Sequence, residues 1–216
     1  MRSGVRRTEF DLRPFLEPRE RILDVDIGKA VADLYAFVLA ISSKGFEGAL
    51  RASMQGVETD QPGPELVTAI GEDLSHDITG LQAEVFRKAV EEAIFDAAGL
   101  GYDLQRLNVK AGLERYLRKR GAKQFLELFL SRYVFDAVWL RVQDHLRAKS
   151  GSRSLRKSAV GIERFCASVV RSVVENWHVE GKLERLPAKK RLGTTLIATI
   201  ETRLLETTNS PVRKFR

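Results

Sequence analysis

The stretch KQFLELFLSRYVFDAVWLRVQDHLRAK, residues 123–149, decides the fold class of this chain. Its apolar residues recur every three or four positions, which is the spacing of an α-helix, and they cover most of the helix circumference. A helix with so little polar surface is stable only when other elements surround it. The stretch therefore predicts a central, largely buried helix near 123–149.

Helical spacing continues on both sides of this segment. Apolar stripes follow Asp26, Thr79, Asn108 and Ser158, a weaker pattern covers 65–75, and a last stripe covers 192–204. The residues expected to cap these helices are Asp26, Asn108 and the pair Thr79–Gln82, which reads as a capping box. The fold class is therefore all-α, a multi-helix bundle of about seven or eight helices, with a two-lobed body as an alternative.

Glycines mark the expected helix ends. SSKG at 42–45 is expected to end the first helix, with a short second helix over 46–55, and later helices are expected to end at 99–101, Gly121 and Gly181. The segment 21–27 and the threonine-rich stripe 192–204 are the two places where a strand is also compatible with the sequence.

We expect one helical domain over 1–216, because no long linker separates the stripes. It would comprise an acidic N-terminal lobe (about 1–103), a basic C-terminal lobe (about 104–208) and a frayed tail (209–216). Residues 1–103 contain 11 Lys and Arg against 19 Asp and Glu, whereas residues 104–216 contain 25 against 10. The two net charges, −8 and +15, add to the +7 of the chain. Such asymmetry is typical of proteins with a charged binding face.

Composition excludes several classes of protein. Hydrophobic residues are 44% and charged residues 30% of the 216 positions, as in a globular chain rather than a disordered one. No apolar run is long enough and sufficiently free of charge to span a bilayer, and the first residues lack the apolar core of a signal peptide. The single cysteine, Cys166, cannot form an internal disulfide. We therefore expect a cytoplasmic protein with no membrane contact.

Positive charge in the basic half is grouped into four clusters. They lie at 115–123, at 146–157 (LRAKSGSRSLRK), at 188–191 (AKKR) and in the tail at 213–216. The residues expected to contact nucleic acid are Arg115, Arg118, Lys119, Arg120, Lys123, Arg147, Lys149, Arg153, Arg156, Lys157, Lys189, Lys190 and Arg191.

Two interpretations of these clusters compete. Cations at helix C-termini complement the helix dipole and keep a protein in solution, with no ligand involved. Alternatively, they contact the phosphate backbone of DNA or RNA and release its counterions, which four clusters with few intervening acids favour. The small SGS residues at 150–152 suit a loop that follows a backbone, although they suit a plain hinge equally well. Apart from Tyr116, no aromatic residue lies among the cations, which disfavours sequence-specific readout of single strands. The phosphate interpretation requires the cations to converge on one exposed surface.

The stretch RSVVENWH, residues 171–178, indicates a different activity. An Arg followed by six residues and a His resembles the signature of the HEPN ribonucleases, an all-helical family. The resemblance covers only these eight residues and implies that Arg171 and His178 would act together on an RNA backbone. A separation of seven positions places both residues on one face of a helix.

Other chemistry is weakly indicated. EDLSHD at 72–77 contains carboxylates and a histidine that suit a divalent metal, but Ser75 and Asp77 suit helix caps equally well. No phosphate-cradling loop, nucleophile elbow or zinc-binding helix motif is present. We expect no metal, no cofactor and no small-molecule substrate, and an enzyme is the less favoured class.

The leading interpretation is a nucleic-acid-associated helical accessory subunit. Its basic C-terminal half would contact the phosphate backbone, and its acidic N-terminal half would contact a protein partner. The alternative is a structural or adaptor protein whose oppositely charged halves drive assembly without nucleic acid.

Overall fold

The computed structural model describes residues 21–54, 56–58, 61–99, 108–149 and 152–209. Within these residues the chain forms seven α-helices and no strand, which confirms the all-α prediction and excludes a strand at 21–27 or 192–204. The helices are α1 (Gly28–Ser53), α2 (Gly63–Ser75), α3 (Leu81–Ala98), α4 (Val109–Arg120), α5 (Ala122–Lys149), α6 (Ser152–Val179) and α7 (Arg191–Asn209). Short 3-10 turns precede α1 and α7. None of the described helices combines the length and the apolar character that crossing a membrane requires.

α5 lies at the centre of the bundle, as its sequence predicts. It packs against α1, α3, α4 and α6, and its Phe125, Phe129 and Tyr133 are at most 1% exposed. Asp136 is the buried carboxylate of this helix, and Lys88 of α3 lies 3.0 Å from it. The pairing is required because an isolated buried charge is strongly destabilising.

α5 and α6 form an antiparallel hairpin with only residues 150 and 151 between them. Lys123 near the start of α5 pairs with Glu175 near the end of α6. At a rise of 1.5 Å per residue, the 28 residues of α5 span roughly 42 Å. The sequence predicts that the helix after α5 starts at Ser158, whereas α6 begins six residues earlier, at Ser152. Leu155 packs against the core and extends the apolar stripe of α6 by about two turns before Ile162.

α1 bends sharply at Gly45, whose φ of 74° is readily adopted only by glycine. The bend places Ser53 and Ala36 in the lining of one pocket, although a straight helix would separate them by about 25 Å. Glu114 of α4 accepts a hydrogen bond of 2.8 Å from the backbone N–H of Phe46 and so caps the second half of α1. The predicted stop at 42–45 and the short helix after it are confirmed.

The first turns of α1 and α7 cross in direct backbone contact. A Cβ atom on Gly28 would lie 2.0 Å from the backbone nitrogen of Thr194, and one on Gly193 would lie 1.8 Å from the carbonyl oxygen of Gly28. Further along α7, the carboxylate of Glu201 accepts hydrogen bonds of 2.7 and 3.2 Å from the backbone N–H groups of 22–23. These contacts join the two ends of the described chain.

One of the predicted helix caps is confirmed and two are wrong. Asn108 caps α4 by accepting a 3.0 Å hydrogen bond from the backbone N–H of residue 111, as expected. Asp26 does not cap α1, which has no side-chain cap. The capping box of Thr79 and Gln82 is also wrong, because the Gln82 amide oxygen accepts a 3.0 Å hydrogen bond from the hydroxyl of Tyr133 instead.

The remaining boundaries agree with the glycine pattern. Gly99, Gly121 and Gly181 follow the ends of α3, α4 and α6. α2 starts at Gly63, with Pro64 in its first turn, slightly before the predicted 65–75. Buried residues of all seven helices form one hydrophobic cluster. The composition change near residue 103 and the tail from residue 210 lie outside the described residues.

Candidate nucleic-acid interface

α4 carries a dense group of exposed cations. Leu113 and Leu117 bury one face of the helix. Arg115, Arg118 and Lys119 fall on the opposite face, within an arc of about 100° at 100° per residue. All three are exposed and form no ion pair with any described residue. We call these three residues the α4 stripe.

A groove of about 420 Å³ lies beside the α4 stripe, between α4, α5 and α6. Tyr116 and Arg120, one turn apart, line it from α4, and Arg171 lines it from α6. Residues of α5, among them Gln124 and Glu127, also line it. We call this depression the α4–α6 groove. Its full lining is Tyr116, Arg120, Gln124, Glu127, Leu128, Ser131, Arg132, Glu163, Ala167 and Arg171.

The charges in the α4–α6 groove are unequally partnered. Arg132 is held by Asp96 at 2.8 Å and by Glu163 at 3.4 Å. Arg120 and Arg171 form no ion pair with any residue in the described part of the chain. Two guanidinium groups, one contributed by α4 and one by α6, are therefore available to a ligand.

Glu127 and Glu163 are the acidic residues in the lining of the α4–α6 groove, and of the two Glu163 lies 3.4 Å from Arg132. Burial raises the pKa of the Glu127 carboxyl, while Lys123, whose Nζ is 4.0 Å away, and Arg171 partly offset the rise. Glu175 adds to the rise by charge repulsion. Burial also raises the pKa of the Tyr116 phenol, so this hydroxyl keeps its proton and can donate a hydrogen bond.

Several cations of the basic half pair with carboxylates of the acidic half. Lys190 lies 2.8 Å from Asp33, and Lys110 lies 3.3 Å from Glu47. Arg132 pairs with the acidic half through Asp96. Part of the charge asymmetry is therefore neutralised within one molecule. The cations of the α4 stripe do not form such pairs with described carboxylates.

The predicted contact residues divide into three groups. Lys123 and Lys190 already pair with carboxylates, and Arg147 has a weak partner 3.8 Å away on its own helix. The side chains of Lys149 and Arg153, and the cations of the tail, lie outside what the structure describes. The others are exposed and form no ion pair with any described residue: Arg115, Arg118, Lys119, Arg120, Arg156, Lys157, Lys189 and Arg191.

The clusters do not converge on one surface. The cluster at 115–123 lies at the junction of α4 and α5, and the cluster at 146–157 lies at the other end of α5, roughly 40 Å away. The cluster at 189–191 lies at the start of α7, next to α1. The expectation of a common surface is wrong because α5, a helix of 28 residues, separates the first two clusters.

Arg171 and His178 lie on the same helix but in different surroundings. His178 contacts Glu184, with 3.0 Å between Nδ1 and Oε1, and does not line the α4–α6 groove. The helical rise between the two residues is about 10.5 Å. The structure therefore brings Arg171 to the same groove as Arg120 rather than to His178, and joint action of Arg171 and His178 on RNA stays a prediction.

The EDLSHD segment forms ion pairs. Asp77 contacts both Lys29 of α1 and His76, the latter with 2.9 Å between Nε2 and Oδ1. The hydrogen bond from Lys29 lowers the pKa of Asp77. No three metal-ligating side chains among the described residues are arranged to hold an ion. Cys166 is fully buried, and burial raises the pKa of its thiol to about 12, so the thiol is unreactive at neutral pH.

The α4–α6 groove is the feature that the sequence does not show directly. The i, i+4 spacing of Tyr116 and Arg120 is visible in the sequence, but the position of Arg171 opposite them depends on the packing of α6. Comparison of the chain with protein families, with curated proteins and with solved structures gave no significant match. The functional interpretation therefore depends on the geometry.

Proposed function

We propose that this protein is a cytoplasmic accessory subunit that binds the phosphate backbone of nucleic acid through one basic cluster only, the α4 stripe and Arg120. The other clusters lie elsewhere on the molecule and are not part of this proposal. The supporting observation is a contrast within the basic half. Lys110, Arg132 and Lys190 pair with carboxylates of the acidic half, whereas the four cations at the end of α4 have no partner among the described residues. Arg118, Lys119 and Arg120 lie in the last turn of α4, where cations also complement the helix dipole, whereas Arg115 lies about one turn earlier and is not explained by the dipole.

Binding of this kind would be driven mainly by release of counterions from the phosphates. Each neutralised phosphate contributes about −0.9 to the slope of log K against log salt for a duplex, and about −0.7 for a single strand. Four cations on α4 therefore predict a slope of roughly −3 to −4. Backbone contacts carry no base information, so little sequence preference is expected.

The acidic half is left for a protein partner in this proposal. Glu58, Glu65 and Glu84 are exposed and form no ion pair with any residue that the structure describes. An adaptor that assembles by charge complementarity alone is less well supported, because the pairs of Lys190 and Lys110 satisfy part of that complementarity inside one chain. Sedimentation at low and high salt separates the two ideas, since only the adaptor requires salt-sensitive oligomers without nucleic acid.

The test compares charge-reversal variants by fluorescence anisotropy with labelled DNA and RNA of about 20 nucleotides at about 50 mM salt. Arg118→Glu/Lys119→Glu should weaken binding at least about 100-fold, because two phosphate contacts become repulsive. Arg156→Glu/Lys157→Glu at the tip of the α5–α6 hairpin should have a much smaller effect.

A matched control is Arg185→Glu/Arg203→Glu, which changes the net charge equally at exposed positions of the basic half outside the clusters. Circular dichroism verifies that each variant keeps its helices. The proposal is wrong if wild-type protein binds neither probe, or if the control weakens binding as much as the α4 double variant does.

A further inference from the structure

The α4–α6 groove differs from the α4 stripe in shape. The stripe lies on an exposed helix face, whereas the groove is a depression of about 420 Å³ between three helices. That volume lies within the range of small-ligand sites, which is roughly 300–1,000 Å³. A duplex could contact the exposed stripe, whereas a single nucleotide could also enter the groove.

We infer that the α4–α6 groove receives one nucleotide of a single strand, with its phosphate between Arg120 and Arg171 and its base against Tyr116. The inference rests on the proposed function, and it specifies single-stranded DNA or RNA as the preferred ligand.

The two guanidinium groups are suited to the phosphate. Planar guanidiniums form paired hydrogen bonds with phosphate oxygens. Neither Arg120 nor Arg171 forms an ion pair with a described residue, although Arg171 interacts electrostatically with the carboxylate of Glu127. Because α4 and α6 each contribute one guanidinium group, a phosphate between them would be contacted from two sides.

Tyr116 supplies the contact for the base. Its ring is half-buried and packs edge-on against Phe125, with 6.4 Å between centroids, so its position is determined by the core. An aromatic ring beside cations is the usual arrangement for sequence-tolerant binding of single strands. A duplex keeps its bases stacked inside a stiff rod, so it could contact the α4 stripe but could not place a base in the groove.

A substitution of Glu127 should change affinity in the opposite direction to the arginine substitutions. The Glu127 carboxylate lines the same groove and would repel a bound phosphate, while Lys123 and Arg171 offset part of that repulsion. Removing the negative charge should therefore strengthen the binding of single strands. A role of the groove in folding alone would not produce a gain in affinity.

The experiment measures anisotropy of a labelled single strand of about 20 nucleotides, as DNA and as RNA, and of the same DNA annealed to its complement. Arg171→Gln should weaken single-strand binding about 10-fold, since it removes one charged hydrogen-bonding group, and should weaken duplex binding less than about threefold. Glu127→Gln should strengthen single-strand binding about 3- to 10-fold.

Arg164→Gln is the matched control, because Arg164 is an exposed arginine of the same helix that does not line the groove. Tyr116→Leu should lower affinity for single strands more than for duplex. The inference is overturned if Arg171→Gln weakens both probes equally, if Glu127→Gln gives no gain, or if Arg164→Gln matches Arg171→Gln. Absence of wild-type binding to either probe would instead refute the proposed function, and the inference with it.

Discussion

Replacing Gly193 with alanine tests whether the crossing of α1 and α7 determines the packing of the bundle. Helix propensity alone predicts that Gly→Ala stabilises a helix by about 0.5–1 kcal/mol. The structure predicts the opposite at this position. The new Cβ atom would lie 1.8 Å from the carbonyl oxygen of Gly28, a backbone atom that cannot rotate away.

The size of the effect follows from the shift that relieves this clash. Reaching 3.0 Å, the lower limit of real Cβ contacts, requires the helices to move apart by about 1.2 Å. A gap of that order removes a quarter to a half of the dispersion energy of the atoms facing it. Four buried side chains of α7 depend on this position: Leu196, Ile197, Ile200 and Leu204. At about 1.5–3 kcal/mol each, loss of a quarter to a half of their contribution gives a destabilisation of about 1.5–6 kcal/mol.

Urea denaturation followed by circular dichroism measures the free energy of unfolding of Gly193→Ala and of its control, Gly161→Ala. Gly161 lies inside α6, and a Cβ atom added there would have no neighbour within 4 Å, so alanine should stabilise by up to about 1 kcal/mol. The two identical substitutions should thus change stability in opposite directions. A Gly193→Ala protein as stable as wild type would refute the close crossing of α1 and α7.

Two further predictions concern buried polar groups. Glu127→Gln should raise the free energy of unfolding at neutral pH. This gain should shrink as the pH falls toward about 4.3, which is the ordinary pKa of a glutamate side chain. The reason is that burial raises the pKa of Glu127 in the folded protein above its pKa in the unfolded chain. The wild-type protein therefore loses stability as the pH rises from the lower of these two pKa values to the higher one, and glutamine, which carries no charge, avoids this loss. Thermal melts at several pH values measure this, and a gain independent of pH would contradict it. Tyr133→Phe should destabilise the protein by about 1 kcal/mol, because it removes the 3.0 Å hydrogen bond to Gln82. Urea denaturation measures this loss, with Tyr35→Phe as the control. Tyr35 is also buried, but its hydroxyl has no hydrogen bond to any described residue. An equal loss of stability in both variants would show that the bond to Gln82 is unimportant.

The helices are predictable from local sequence because each depends on a repeated spacing. α5 is recognisable from its apolar circumference, and α4 from Asn108 at one end and Gly121 at the other. The capping box of Thr79 and Gln82 fails for a non-local reason. Gln82 bonds to a hydroxyl 51 positions away, and that partner competes with the local backbone. The sequence of residues 79–82 alone therefore cannot predict that Gln82 bonds to a distant hydroxyl instead of the local backbone.

The candidate site is predictable only in part, for the same reason. The cations of the α4 stripe are close in sequence, so their shared helix face follows from spacing. The α4–α6 groove combines Tyr116 with Arg171, and they come together only because α5 and α6 fold into a hairpin. Charge counts also cannot distinguish Lys190, which pairs with Asp33, from Lys189, which has no partner among the described residues.

The packing of α4 explains how a helix of 12 residues could serve as a binding platform. The helix is held on three sides: Glu114 caps the second half of α1, Gly112 meets Ala98 of α3 so closely that a Cβ would lie 2.7 Å from its carbonyl oxygen, and Tyr116 packs on α5. A short isolated helix would fray, and ordering it on binding would reduce affinity. Because these contacts order the backbone of α4 beforehand, binding of a strand would need to restrict only the cationic side chains themselves.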